Sequence, residues 1–505
     1  MGKQSKRPNR EARKKNWPVI KAARKELKKR NQEQGLQPLQ KATAQNSKSH
    51  HQTIEQEQSE RQILVEEQVK ACNSLLNKLI PKLKQIPDLR NPTKIKHKKE
   101  VLLLYGILIF VLQMSSRRQA NQEMSKPIFL KNLQEMFPEL KTLPHHDTLN
   151  RFLKEIDVDQ IEKIHVELLQ ELIRKKKFKN YLLNNRYLIA IDGTQKQNRD
   201  YCWSDEVLRK KRGDDHQYYV YVLEATLVLS NGFSLPLISE FLDNEGYKEA
   251  KTKQDCELKA FYRLAKKLKN YFPRLPITVL LDGLYANGPV MTLCRRMNWQ
   301  YMIVLKDDSL KSVWEETYGL KKLQENQNLK RTWKNRHQAF WWVNDIEYGY
   351  GKNERQKLTV HVVVCEEQWE EVDQKTQEIQ IKQSKHAWIS SEPLSHKNVH
   401  QRCNLCARIR WDIETQLKIE KKHGYQYEHF FSYNWNAMRG YHYLMRMGHL
   451  INVLAHQTPI LKEKAKKMGT MALIKYVTET IRVSILDYDR INKIAKAKNQ
   501  LRLVS

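Results

Sequence analysis

Cysteine, long apolar runs and acidic side chains are all scarce in this chain. It has seven cysteines in 505 residues and no apolar leader after MGKQSKRPNR, so we expect a cytoplasmic protein in a reducing compartment. The longest apolar run, residues 101–114, spans about 14 residues, whereas a helix needs about 20 to cross a bilayer. We therefore predict a buried helix and no membrane partner, although the basic residues that flank the run are also found beside membrane spans.

The shortage of acidic residues leaves a strongly basic chain. Asp and Glu number 57 against 90 Lys and Arg, which gives a formal net charge of +33 at pH 7. An excess of this size favours polyanionic partners, and nucleic acid is favoured over a membrane surface. The length allows roughly three or four domains with a large buried core.

Residues 1–60 consist mainly of Lys, Arg, Gln and Asn, with few apolar positions. Such a composition cannot bury enough surface to offset the entropy of ordering, so we predict a disordered basic tail. The tail either contacts DNA phosphates without reading sequence or keeps the protein soluble. Contact with DNA is favoured, because the rest of the chain is basic as well.

Apolar spacing predicts a helical region over residues 61–180, which we interpret as the DNA-binding region. Within it, LPHHDTLNRFL places Asp147 or Thr148 as an N-cap before a helix with apolar residues at helical spacing. The helix could be the second one of a helix-turn-helix, with Thr148 and Arg151 on the DNA side. A capped core helix has the same pattern, so both interpretations stay open.

From Arg186 onwards, short apolar runs bounded by turn residues predict strands. The order of strand, hairpin at Asn231-Gly232, helix and further strands indicates an α/β fold with a mixed sheet. We assign residues 181–306 to the first part of a catalytic core, 307–385 to a β-rich insertion and 386–460 to the second part of the core. Residues 461–505 form a basic, helical C-terminal region.

Two aspartates each follow a buried apolar run and precede a glycine. Asp192 comes after YLIAI and Asp282 after ITVLL, so both carboxylates are expected where strands end and a ligand can approach closely. Cleaving or joining a phosphodiester uses Mg²⁺, which prefers oxygen ligands, and two ions about 4 Å apart can stabilise the attacking and leaving oxygens. The alternative for either aspartate alone is a plain Asp-Gly turn.

The stretch ARIRWDIETQLKIEKKHG, residues 407–424, could supply a third carboxylate. In a helix, Arg410, Glu414 and Lys421 fall within roughly 40° of one another, so one carboxylate lies between two cations. The acid would complete a metal site, while the cations hold phosphates beside it without reading bases. The alternative is an intrahelical salt bridge, since Arg410 and Glu414 are four residues apart.

These residues resemble the DDE transposases of bacterial insertion sequences, in particular the branch with a β-rich insertion before the last Glu. The last catalytic helix of that branch carries Tyr-x2-Arg-x3-Glu-x6-Lys, and Arg410, Glu414 and Lys421 match this spacing. The position of the tyrosine is occupied by Ala407. The resemblance covers roughly residues 61–456.

The resemblance implies an RNase H-like core with Asp192, Asp282 and Glu414 as catalytic and metal-binding residues. It implies two Mg²⁺ ions, for which Mn²⁺ could substitute, with Asp192 bridging both. The implied activity is nicking at the ends of the element followed by attack of the freed 3′-OH on target DNA. The implied partners are double-stranded element ends, target DNA and further copies of the chain, as a dimer or larger assembly in the bacterial nucleoid.

Other patterns are weighed against this interpretation. His396, His400, Cys403 and Cys406 have zinc-like spacing but leave little loop to wrap an ion, so we do not expect zinc there. We expect at least one of three tryptophans of the insertion, Trp333, Trp341 or Trp342, to be exposed. An exposed indole ring there could stack on an unpaired base. Glu224 is a further acid that could compete with Glu414. A nuclease without strand transfer and an inactive DNA-binding relic remain alternatives to the transposase.

Overall fold

The computed structural model describes residues 10–37, 48–213, 215–230, 232–244, 254–324, 326–373 and 375–504. The chain divides into two compact units. The small unit comprises Met1–Ala42 and Leu281–Arg408, and the large unit comprises Thr43–Leu280 and Ile409–Ser505. The predicted limits of the insertion, residues 307 and 385, both lie within the small unit.

Most of the helices lie in the large unit. The α-helices, in chain order, are α1 (Arg10–Glu33), α2 (Ile54–Leu83), α3 (Lys99–Val111), α4 (Arg117–Met124), α5 (Pro127–Met136), α6 (His146–Glu155), α7 (Asp159–Arg174), α8 (Glu257–Tyr271), α9 (Gly288–Arg296), α10 (Lys311–Lys321), α11 (Trp411–Lys422), α12 (Trp435–Ala455), α13 (Pro459–Met468), α14 (Thr470–Val483) and α15 (Tyr488–Lys496). The predicted helical region corresponds to α2 through α7.

The strands belong to both units. In chain order they are β1 (Tyr187–Arg199), β2 (Leu208–Arg212), β3 (Asp215–Val228), β4 (Ser234–Leu242), β5 (Ile277–Leu281), β6 (Gln300–Val304), β7 (Asn328–Trp333), β8 (Arg336–Tyr350), β9 (Gln356–Val372) and β10 (Ile379–Ser390). The α/β class and the mixed sheet that the sequence predicts are therefore present.

In the large unit, β1 is the strand around which the sheet is built. It pairs in parallel with β5 on one side and antiparallel with β3 on the other. β3 also pairs antiparallel with two further strands: its first residues, 215–219, pair with β2, and residues 221–228 pair with β4. The β3–β4 hairpin was predicted, but Asn231 of its turn lies outside the described residues.

The apolar run at 101–114 forms the buried helix α3, whose residues from Leu102 to Val111 are all buried. It packs against α12, the long helix of the C-terminal part. Within the described ranges, no helix has the length and apolarity that a bilayer span requires.

The LPHHDTLNRFL motif, residues 143–153, leads into α6, and the N-cap of this helix differs from the prediction. The cap is His145, whose Nδ1 accepts a hydrogen bond from the backbone N–H of Asp147 at 3.2 Å. Asp147 and Thr148 already lie inside the first turn, so naming them as caps was wrong. The apolar face of α6 is buried and the helix packs against α12, while Arg151 is exposed.

In the small unit the strands form an antiparallel sheet in the order β6-β10-β9-β8-β7. Strand β10 runs through residue 385, where we had placed the end of the insertion, because it pairs with β9 along its length and with β6 near its C-terminal end. Helix α10 was not predicted within this region.

Part of the predicted disordered tail is ordered. Residues 10–33 form α1, which packs against β9, and Arg30 lies 3.4 Å from the carboxylate of Glu370. The backbone N–H of Gln37 donates to the carbonyl of Lys334 at 3.0 Å. Contacts with the sheet supply the stabilisation that the polar composition of this segment lacks.

Candidate active site

Asp192 lies inside a strand and not at its end, which corrects the prediction. The parallel pairing of β1 with β5 runs from Tyr187 opposite Ile277 to Ala190 opposite Leu280. Beyond this point β1 continues to Arg199, because β3 still pairs with it on the other side. Asp192 is the second residue after Ala190 in β1, and Asp282 is the second residue after Leu280, directly following β5.

The glycines after the two aspartates make room for side chains of the protein. A Cβ at Gly193 would lie 2.5 Å from Cε1 of Tyr221 and 2.7 Å from Oε2 of Glu257. A Cβ at Gly283 would lie 2.7 Å from Cε of Lys306. Close packing within the protein therefore accounts for Gly193. At Gly283 the neighbouring atoms belong to the flexible, exposed side chain of Lys306, so this contact does not by itself explain the glycine.

Asp282 also adopts the turn geometry that was weighed as its alternative role. Its Oδ1 accepts the backbone N–H of Leu284 at 2.9 Å and so caps a short 3₁₀ helix, Gly283–Tyr285. One carboxylate oxygen is thus engaged locally. A carboxylate has further lone pairs, so capping does not exclude a second role.

The segment 401–422, which includes Glu414, is helical, as predicted for residues 407–424, but the type of helix changes along it. A π-helical segment (Gln401–Cys406) and a 3₁₀ turn (Ala407–Arg410) lead directly into α11. In the large unit, α11 packs against β1, β3 and β4.

Arg410 joins two of the predicted carboxylates. Its Nη2 donates to Oε1 of Glu414 at 3.0 Å, and its Nη1 lies 3.8 Å from Oδ2 of Asp192. The Arg410 side chain is only 8% exposed, whereas Asp192 and Glu414 are 23% and 41% exposed. The intrahelical salt bridge is present, and the same guanidinium also reaches a carboxylate on β1.

Lys421 is engaged within the protein. Its Nζ donates to the carbonyl of Gln195 on β1 at 3.0 Å and lies 3.1 Å from a carboxylate oxygen of Glu428. In this conformation its charge is used to hold the C-terminal end of α11 against β1.

A buried ion network beneath α11 was missed by the sequence analysis. Arg446 of α12 places Nη1 at 3.0 Å from both carboxylate oxygens of Glu420, which lies six residues after Glu414 on α11. His449 Nδ1 is 2.6 Å from Glu420 Oε1. Burial raises the pKa of Glu420, but Arg446 and His449 outweigh burial and lower it to about 2. The acid is therefore ionised at neutral pH.

The same guanidinium connects α11 to the strand beside Asp192. Arg446 Nη2 lies 3.3 Å from Oε2 of Glu224, the residue of β3 directly opposite Asp192 in the β1–β3 register. Glu224 also accepts hydrogen bonds from Ser239 at 2.6 Å and from Tyr427 at 2.8 Å. Because Glu224 is fully buried, it is part of the support of the site and not a rival for the role of Glu414.

Lys196 is a second buried cation in this region. Its Nζ donates to the carbonyl of Tyr427 at 2.9 Å and lies 4.4 Å from the centre of the Tyr427 ring. Burial lowers the pKa of Lys196 to about 8. The sequence does not distinguish this buried lysine from an exposed one, because a lysine in the polar half of a strand such as β1 is also typical of an exposed strand end.

The tryptophans of the small unit differ from the prediction. Trp341 and Trp342 are 8% and 2% exposed, so they belong to the core and are wrong as exposed stacking residues. They lie on β8, which is covered on one side by α10. Trp333 is half-buried, with the guanidinium of Arg408 5.3 Å from its ring centre.

The residues with zinc-like spacing have other contacts. His400 Nδ1 is 2.8 Å from Nδ2 of Asn404, and the ring of His396 packs edge-on against Trp342 at 4.9 Å. Cys403 and Cys406 are buried.

Comparison with known proteins adds one match. The family model described as DDE_Tnp_1-associated matches residues 80–169, which run from the end of α2 into α7. No curated protein matches the chain. The match indicates a DDE-type transposase context and hence a transposase-related protein. The matched segment does not include any residue of the candidate active site.

Proposed function

We propose that this chain is a DNA transposase that cleaves phosphodiester bonds at the ends of its element and transfers the freed 3′ ends to target DNA. The observation that carries the proposal is the position of Arg410 between Asp192 of β1 and Glu414 of α11. Two partly exposed carboxylates from distant parts of the chain thereby share one basic residue. The spacing of Arg410, Glu414 and Lys421 and the transposase-associated match at 80–169 support the same conclusion.

The third carboxylate of the proposal is Asp282. Its support is its place directly after β5, two residues beyond the last residue that pairs with β1, which matches the place of Asp192 on β1. We further propose that β1, β3, β4 and β5, together with α11, which packs on the first three, belong to an RNase H-like core.

The donor set fits magnesium. Asp192 and Glu414 offer carboxylate oxygens, the ligands that Mg²⁺ prefers, and both side chains are open to solvent in part. When bound, a pair of such ions would polarise the phosphate and help to ionise the attacking hydroxyl. Asp192, Asp282 and Glu414 would hold the ions, and Mn²⁺ has similar ligand preferences.

Arg410 and the basic charge of the chain would act on the DNA, whereas Lys421 would position α11. Arg410 can turn one arm of its guanidinium from a carboxylate to a phosphate oxygen, because it offers several donors in one plane. Lys421 holds the C-terminal end of α11 on β1 and would keep Glu414 in place during the reaction. The net charge of +33 supports binding of DNA through its phosphates, and we propose that two or more copies assemble on it.

The test is a cleavage and joining assay with the DNA that flanks the gene. Purified protein would be incubated with a plasmid carrying both flanks, with Mg²⁺ or with EDTA. Asp282→Asn keeps the size of the side chain and removes its charge, and Glu315→Gln on the exposed face of α10 is the control for loss of one charge in the small unit. We expect excised or joined products with the wild type and Glu315→Gln, and none with Asp282→Asn or EDTA.

Other outcomes would select the alternatives. Cut ends that are never joined, with the same dependence on Asp282 and Mg²⁺, would indicate a nuclease without strand transfer. Equal binding of the ends by wild type and Asp282→Asn, with no cutting by either, would indicate a DNA-binding relic. Cleavage that survives Asp282→Asn would contradict the assignment of the third carboxylate.

A further inference from the structure

Three side chains with metal-binding atoms meet where the chain enters α2. His50, His51 and Glu60 each place one ligand atom within 4.8 Å of the other two. None of them belongs to the candidate active site. We propose that they form a binding site for one Zn²⁺ ion, or a similar divalent transition metal, in the large unit.

The distances suit a tetrahedral ion. His51 Nε2 and His50 Nε2 lie 2.5 Å and 3.6 Å from Oε2 of Glu60. Ligands bound at about 2.0–2.1 Å around a tetrahedral zinc ion stand about 3.3 Å apart. Shifts of less than about 1 Å in these two pairs would bring them to that spacing, and the two histidine ligand atoms already lie within 4.8 Å of each other.

Groups outside the three ligands already orient two of them. Ser49 Oγ lies 3.2 Å from Nδ1 of His51, which leaves Nε2 of that ring directed towards Glu60. Lys464 Nζ of α13 is 2.5 Å from Oε1 of Glu60, so the other oxygen, Oε2, is left for the ion. Hydrogen bonds of this kind to the far side of a ligand are typical of metal sites.

The ligand types distinguish this site from a magnesium site. Two imidazoles and one carboxylate match a common zinc set, whereas Mg²⁺ takes oxygen ligands. His50 is 68% exposed, which leaves the fourth position of the ion to water.

A second histidine pair supplies a matched control. His145, His146 and Asp147 also bring three ligand atoms together, but His145 Nδ1 caps α6 and Arg117 lies 3.5 Å from Asp147. The cap uses one potential ligand atom. Arg117 contacts Oδ1 of Asp147, the same oxygen that lies 3.0 Å from His146 Nδ1, whereas Lys464 contacts Oε1 of Glu60 and leaves Oε2 to the histidines. We therefore assign the ion to His50, His51 and Glu60 alone.

An ion at this site would fasten the segment before α2 to α2 itself and, through Lys464, to α13. His50 and His51 precede the N-cap Thr53, and Glu60 lies in the second turn of α2. The binding free energy of the ion would then stabilise the start of the helix.

The experiment is a zinc titration of the full chain without a histidine tag. Protein freed of metal with a chelator would be titrated with Zn²⁺ against a chromogenic chelator, in excess Mg²⁺ so that sites made of carboxylates are occupied. The variants are His50→Ala, whose exposed ring is not needed for folding, and Ser49→Ala, with His146→Ala as the control. We expect His50→Ala to lose one equivalent of tight zinc, Ser49→Ala to bind it about 10- to 100-fold more weakly, and His146→Ala to match the wild type.

Two results would overturn the proposal. In the first, His50→Ala and Glu60→Gln both bind the same number of zinc ions as the wild type, with the same affinity. The other is loss of the same equivalent in His146→Ala. The absorption spectrum of Co²⁺ in place of Zn²⁺ gives an independent readout, since the bands of a tetrahedral site should be present in the wild type and absent in His50→Ala.

Discussion

Replacing Arg446 by methionine should release α11 from its support while leaving the proposed catalytic residues in the chain. Arg446 contacts both oxygens of Glu420 at 3.0 Å and one oxygen of Glu224 at 3.3 Å, and all three side chains are buried. Methionine fills similar space without charge. The variant leaves two buried carboxylates without their main cation.

The magnitude follows from the structure in two ways. Removing one partner of a buried ion pair costs about 3–5 kcal/mol, because the other charge stays buried and unpaired. The pKa of Glu420, lowered from 4.5 to about 2, corresponds to a similar stabilisation of about 3 kcal/mol by the network. This contribution is complete above pH 4.5, the ordinary value, and is lost as the pH falls towards 2. The difference between wild type and variant should shrink over the same range.

Hydrogen exchange of peptides from α11 and α12 measures the effect locally, which matters because a chain of two units need not unfold in one step. A loss of about 3 kcal/mol corresponds to exchange more than about 100-fold faster at neutral pH. Lys467→Met on α13 is the control, since Lys467 and its partner Glu463 are 69% and 70% exposed, and it should leave exchange in both peptides unchanged. Acceleration of less than about tenfold in Arg446→Met would refute the reasoning.

Two further predictions concern β1. Burial lowers the pKa of Lys196 from 10.5 to about 8. Between these two pH values the folded state has released the proton that the unfolded state still binds. The free energy of unfolding should therefore rise by up to about 3 kcal/mol as the pH increases from 8 to 10.5. Lys196→Met should lack this gain when unfolding is compared at the two pH values. Gly193→Ala should destabilise the large unit by about 1–3 kcal/mol in urea, because its Cβ would overlap with Tyr221 and Glu257, whereas Gly319→Ala, with no atom within 4 Å, should be neutral or stabilising.

The outcomes that would contradict these two predictions are distinct. An equal rise in stability with pH in wild type and Lys196→Met would assign the rise to other groups. A Gly193→Ala variant as stable as Gly319→Ala would show that Tyr221 moves aside without cost.

Some features of the fold followed directly from local sequence. The run at 101–114 predicted buried α3, the apolar runs before Asp192 and Asp282 predicted β1 and β5, and the spacing from Arg410 to Lys421 predicted the helix with Glu414. Each of these signals lies within about twenty residues of chain. Periodicity and spacing report local structure well because the side chains concerned share one face of one element.

Errors arose where distant residues decided the outcome. Trp341 and Trp342 were candidate stacking residues, but both are buried. Trp341 lies against Tyr318 and Lys321 of α10, a helix that was not predicted, and Trp342 packs against His396. The N-terminal tail was predicted to be disordered because its polar composition buries too little apolar surface to offset the entropy of ordering. Contacts with β9 nevertheless stabilise α1 within it. One error was local: the N-cap of α6 is His145 and not Asp147 or Thr148, because the helix already begins at His146.

The sequence by itself determined the basic charge, the α/β class, the main helices and strands, and the three carboxylates to consider. Only the tertiary structure decided that Glu224 is buried support, while Asp192, opposite it across the strands, is partly exposed beside Arg410. It also brought Arg446 of α12 to Glu420 of α11 and to Glu224 of β3. Spacing does not encode these pairs, because they form when separate elements pack, and packing depends on the whole core at once.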